Sequence, residues 1–155
     1  MKKILALALT LAMVVSLCAC GGGNASKDGS AAAEGGNTAV KAGFIFLHDE
    51  NSTYDLNFIN AAKEACESMG IEYVFKTNIP EGQEAFDAAC ELADEGCNYI
   101  FADSFGHEDY IIEAAKEYPD IQFCHATGTK AHTEGIDNFH NAFASIYEGR
   151  YLAGI

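Results

Sequence analysis

Side chains able to bind or catalyse gather in four short stretches of this 155-residue chain. They are His48-Asp49-Glu50-Asn51-Ser52-Thr53-Tyr54, Asp103-Ser104-Phe105-Gly106-His107-Glu108, Ala126-Thr127-Gly128-Thr129 and His140-Asn141. Carboxylates, amides and hydroxyls hydrogen-bond an uncharged polar guest, and an aromatic face adds offset stacking. A second chemistry is also open. His48, His107, His125 and His140 fall at or just past predicted strand ends, and with Asp49, Glu50 and Glu108 they offer a donor set suited to zinc, for capture or hydrolysis. No pair has the H-E-x-x-H spacing that puts two ligands on one helical face, and no G-x-S-x-G, G-x-G-x-x-G or P-loop lysine motif is present. The residue types therefore favour binding over catalysis.

The elements that must position these stretches follow from hydrophobic periodicity. Residues 42–47 form a continuous apolar run, as expected of a parallel strand buried on both faces. Residues 55–69 place Leu56, Ile59, Ala62, Cys66 and Met69 at spacings of three and four before Gly70, which predicts an amphipathic helix and its stop. Strands are predicted over 71–76, 98–102 and 121–125, with a weaker fifth over 135–139. Helices are predicted over 83–95, with Phe86, Ala89, Cys90 and Ala93 on one stripe, and over 108–118, ended by Pro119. Strand alternating with helix implies an α/β fold with a doubly wound parallel sheet. In such a sheet ligands lie outside the carboxyl ends of the strands, where the four polar stretches fall. The last segment, 141–155, keeps helical spacing through Phe143, Ile146, Tyr147 and Arg150 and reads as cut in mid-helix.

Residues 1–20 are of another kind. Lys2 and Lys3 precede an apolar stretch over 4–17, too short for a comfortable membrane span, which reads as an export signal. It ends in Leu17-Cys18-Ala19-Cys20-Gly21, a lipobox pattern with Cys20 as the lipidation site; dual acylation there anchors a protein stably without a spanning helix. Residues 21–39 are rich in Gly, Ser, Ala and Asn and form a tether, which leaves 40–155 as one lobe. Loss of Lys2 and Lys3 moves the net charge from −14 to −16, an acidic body that excludes nucleic acid and polyanionic ligands. Cys66, Cys90 and Cys124 fall on apolar faces of predicted elements, so they and Cys97 are expected to be free thiols, with Cys90 and Cys97 the least improbable disulfide pair.

Taken together, the lipobox and tether, the acidic-polar loop followed by an aromatic, and the Ser104-Phe105-Gly106 loop resemble the basic membrane protein family of lipoproteins, the purine-nucleoside-binding branch of ABC importer receptors. The resemblance runs from Cys20 to the end and covers about the first half of a family member. It implies a periplasmic-binding-protein-like (type I) N-terminal lobe without its second lobe, no enzymatic activity and no cofactor. The implied partners are a purine nucleoside or similar heterocycle, permease and ATPase subunits, and the membrane through the lipid anchor. On the family pattern Asp49 contacts the nucleoside and Phe58, nine positions on, stacks on the base; Asp103, Ser104, Phe105 and Gly106 match its second contact loop. Asn57 is a further candidate for a base edge. Simpler roles stay open: Asp49, Asp103 and Ser104 as helix caps, Phe58 in the core, and Asn57 as a solvated helix position. The stretch His48 to Thr53 replaces a glycine-containing segment of better-known members, which leaves the ligand open among purine bases, nucleosides and other flat heterocycles.

Overall fold

A computed structural model describes residues 39–154. The export signal, Cys20 and all but the last residue of the tether lie outside them. The described elements are β1 (Lys41–Ile45), α1 (Thr53–Met69), β2 (Glu72–Lys76), α2 (Gln83–Asp94), β3 (Tyr99–Ala102), a 3-10 turn (Phe105–His107), α3 (Glu108–Glu117), β4 (Gln122–Ala126), α4 (Ala131–Glu134), β5 (Phe139–Ala142) and α5 (Ile146–Ala153). No helix of the described residues is long and apolar enough to cross a membrane.

The five strands form one parallel sheet in the order β2-β1-β3-β4-β5. Alternation along each strand sends successive side chains to opposite faces. On one face Ile45, Ile100 and Phe123 meet Ala88, Ala89 and Leu92 of α2 and Ile111, Ala114 and Ala115 of α3. Gly43 faces Leu92, where a Cβ would come within 2.8 Å of the Leu92 side chain, so the helix approaches the sheet closely only because this residue is glycine. On the other face Phe44 and Phe46 meet Ile59, Ala62 and Cys66 of α1, with Phe75 set edge-on to both rings at 5.4 and 5.3 Å. Helices on both faces make the lobe doubly wound.

The helix ends follow from local chemistry. Ser52 caps α1 by accepting the Asp55 N–H at 3.3 Å, and Gly70 ends it in the left-handed conformation, φ 67°. The predicted stripes of α1 and α2 are slightly rotated: Asp55 is buried while Met69 is exposed, and Leu92 rather than Phe86 is fully enclosed. The fifth strand lies later than its predicted span, because 131–134 form a short helix that Gly135 ends at φ 65°. The strand then takes up Asn141 and Ala142, and the following helix starts at Ile146. Buried Asn138 holds this stretch to its neighbours by donating to the carbonyls of Ala115, Tyr118 and Ile121.

All four cysteines of the lobe are free thiols, with Cys66 and Cys97 buried. Burial pushes each of these thiols above its ordinary pKa, which favours the inert, protonated form.

Candidate functional site

Loops from the carboxyl ends of β1, β2, β3 and β4 are tied to one another by buried polar contacts. Asp55 and Asp103 are fully enclosed. Asp55 accepts from the Ser52 hydroxyl at 2.5 Å, the His48 N–H at 3.0 Å and the His48 ring at 3.1 Å. Burial opposes its ionisation, yet these bonds hold its carboxyl down at about 2. Asp103 accepts the Leu47 N–H at 3.3 Å, while its Oδ2 has no hydrogen-bond partner among the described residues. Burial, and then the charge of neighbouring Asp55, pushes the Asp103 carboxyl up to about 7.

The β3 loop is framed from two sides. The Ser104 hydroxyl donates to Glu81 at 2.5 Å, and the Gly106 N–H donates to the same carboxylate oxygen at 2.9 Å. These two donors, the hydroxyl first, hold the Glu81 carboxyl below its ordinary range. A Cβ on Gly106 would collide with Glu81, so glycine is required for that carboxylate to lie across the loop. From the other side His125 Nε2 donates to the Ser104 carbonyl at 2.6 Å. Glu108 Oε1 accepts the Lys130 N–H at 2.8 Å and the Asn141 amide at 3.2 Å, which joins the β4 loop to the start of α3. Gly128 packs against the Glu108 carboxylate and the His125 ring with no room for a side chain. Thr127 sits at φ 67°, a left-handed conformation that a β-branched residue adopts only when its surroundings enforce it.

Between these loops lies an open hollow of about 570 Å³, lined by Tyr54, Ser104, Phe105, Thr127 and Thr129, with Phe143, Ile146 and Arg150 from beyond β5. The Tyr54 hydroxyl donates to the Asp103 carbonyl at 3.1 Å, which stands its half-exposed ring at the edge of the hollow. Phe105 is two-thirds exposed beside it. Two aromatic faces and the hydroxyls of Ser104 and Thr129 can receive a flat, polar, uncharged guest.

The structure brings together only part of the set expected from sequence. The Asp103 carbonyl holds Tyr54 at the edge of the hollow, Ser104 and Phe105 line it, and Gly106 shapes its loop. Asp49 lines a separate hollow of about 320 Å³ with Asn51, Phe75 and Thr77. Its carboxylate accepts the Asn51 N–H and side-chain amide, both at 2.9 Å, and these bonds lower its pKa. Phe58 is half-buried against the sheet, 5.1 Å from Tyr54 and 6.2 Å from Phe101, and lines an apolar hollow of about 420 Å³ between α1 and the strands. Asn57 is exposed and donates to the Thr53 carbonyl at 2.6 Å. The ring at the strand-end hollow is thus Tyr54, one helical turn before Phe58, which supports it from behind. Tyr54 stood in the sequence only as the last residue of the first polar stretch, with Phe58 the expected stacking ring. Thr127 belonged to the third polar stretch, whereas Glu81 carried no signal, since its part arises from contacts between loops distant in sequence.

The histidines do not assemble a metal centre. His48 rests on Asp55, His107 Nε2 donates to the Ile79 carbonyl at 3.0 Å, His125 bonds Ser104, and His140 meets Gln122 at 3.0 Å. Burial lowers the pKa of His107 and His125, so both are held neutral as parts of the framework. Among the described residues no three His, Cys, Asp or Glu side chains are placed to hold a metal ion.

Residues 46–155 match the sequence profile of a family described as ABC transporter substrate-binding protein, PnrA-like. The chain is 37% identical over 121 residues to a purine-binding protein of Brucella abortus, an alignment covering 75% of this chain and 33% of that one. It is 29% identical over 112 residues to a Haloferax volcanii protein described as an ABC transporter glucose-binding protein, covering 72% of this chain and 25% of that protein. The chain therefore spans a quarter to a third of the length of these curated relatives. Among solved structures, a solute-binding protein from Conexibacter woesei superposes with a TM-score of 0.65 at 18% identity, over 75% of this chain and 39% of its own. A lipoprotein fragment from Peptoclostridium difficile superposes with a TM-score of 0.58 at 17% identity, over 74% and 93%. These two likenesses concern the fold.

Proposed function

From the premise that the chain belongs to the PnrA-like family of ABC transporter substrate-binding proteins, we propose that its lobe supplies one wall of an extracytoplasmic site for a purine base or nucleoside. The observation that carries this reading is the strand-end hollow, where Tyr54 and Phe105 offer faces to a heterocycle and Ser104 and Thr129 offer hydroxyls to its polar edge. In this reading the protein captures its ligand outside the cell and passes it to a permease driven by a separate ATPase. Diacylglyceryl modification at Cys20 holds it at the membrane. Asp49, Asn57 and Phe58 act around the site rather than in it, with Phe58 bracing Tyr54. The purine-binding relative supports the ligand class, and the glucose-binding description of a more distant relative supplies the rival to test.

Calorimetry on the full chain in mild detergent, with adenosine, guanosine, glucose and zinc in turn, separates these ligands. Saturable heat with a purine and none with glucose or zinc is expected; heat with glucose or zinc alone would overturn the purine reading. One wall leaves much of a ligand exposed, so the 155-residue chain should bind weakly, with a Kd above about 10 μM. Submicromolar binding would contradict that. Tyr54→Ala should weaken purine binding by about tenfold, the scale of one lost base-aromatic stack.

A further inference from the structure

Ser104 is the least exposed of the residues that line the hollow, at 6%. Its carbonyl is already taken by the His125 ring and the His107 N–H. Its hydroxyl has one proton and two lone pairs, and the proton goes to Glu81. Glu81 comes from the connection between β2 and α2, and its Oε1 also accepts the Gly106 N–H, so one carboxylate oxygen fixes both the loop and the direction of the hydroxyl. We propose that Glu81 is a specificity-determining residue of this site: it makes Ser104 an obligate acceptor, so the guest must present an N–H or O–H there. A guest with a carbonyl or ether oxygen at that point meets lone pairs and the negative field of Glu81. A guest with no polar group leaves the Ser104 lone pairs unpaired once water is expelled. Glu81 need not touch the guest and acts through Ser104.

The inference rests on the receptor reading above, and its test separates the two. Binding of adenosine is compared with that of four analogues that each lack one donor group: 2′-deoxyadenosine, 3′-deoxyadenosine, 5′-deoxyadenosine and N6,N6-dimethyladenosine. The full chain, Glu81→Ala and Glu81→Gln are measured side by side. At least one analogue should bind the unsubstituted chain about tenfold more weakly than adenosine, the usual cost of a lost donor at a site built for it. Glu81→Ala lets the Ser104 hydroxyl turn and donate, so that difference should shrink below about threefold. Glu81→Gln keeps an acceptor oxygen and should restore the discrimination. If Glu81→Ala weakens all five compounds by one factor, or if the unsubstituted chain treats them alike, Glu81 has no part in specificity while the receptor reading stands. No heat with any compound removes the receptor reading, and this role with it.

Discussion

Asp103→Asn should make the lobe more stable at pH 8 and leave it almost unchanged at pH 4. The native state keeps a proton on Asp103 up to about 7, while the unfolded chain releases it near the ordinary value of 3.8. Between these limits the native state binds more protons than the unfolded state, so stability falls as pH rises from about 4 to about 7 and stays low above. An asparagine keeps an oxygen for the Leu47 N–H and leaves no charge to bury near that of Asp55. The gain at pH 8 should be on the order of 2–4 kcal/mol, seen as a rise of roughly 10 °C in Tm. Asp55 gives the opposite limb. Its carboxyl is held at about 2, so its contribution is complete above the ordinary carboxylate range and is lost as pH falls through about 2. The variant should leave that acid limb in place. Thermal melts of both proteins at pH 4, 6 and 8 would check this, and parallel curves would show that Asp103 is ionised throughout.

Gly128→Ala should be among the most damaging single-methyl additions in the lobe. The added carbon would fall on the Glu108 carboxylate and the His125 ring, which are buried and hydrogen-bonded to the β3 loop, the β4 loop and strand β5. Neither group can withdraw without leaving a polar partner unpaired, so the loss combines overpacking with broken hydrogen bonds, roughly 2–4 kcal/mol. Urea unfolding measures it as a drop in the midpoint with the slope unchanged. A loss below about 0.5 kcal/mol, the range of an ordinary surface change, would mean that the β4 loop is not locked to α3.

The sheet was legible in the sequence because its strands are buried on both faces and its helices on one, and each pattern has its own period. Residues 98–102 and 121–125 therefore fall within a residue of β3 and β4. The fifth strand was not legible to the same degree, since Phe139-His140-Asn141-Ala142 lies at the sheet's edge and has no continuous apolar run. For the site, the sequence could mark which loops gather at one edge but not which side chains meet there. Asp55 began the first predicted helix with no role of its own and is fully enclosed, held by Ser52 and His48. Glu81 lies 23 residues from Ser104 and can be joined to it only once β1 and β3 are adjacent in the sheet. Asp49 and Ser104 share the same edge, yet they line different hollows, a distinction set by the direction in which each loop leaves its strand.

In the receptor reading a purine rests in the hollow between the β1, β3 and β4 loops. Amide NMR of the full chain in micelles, titrated with adenosine, tests it most directly. Saturable shifts should appear at Tyr54, Ser104, Phe105, Gly106, Thr127 and Thr129. Shifts confined to Asp49, Asn51 and Thr77, or to Ala61, Ala65 and Tyr99, would place the ligand in one of the other two hollows and contradict the account.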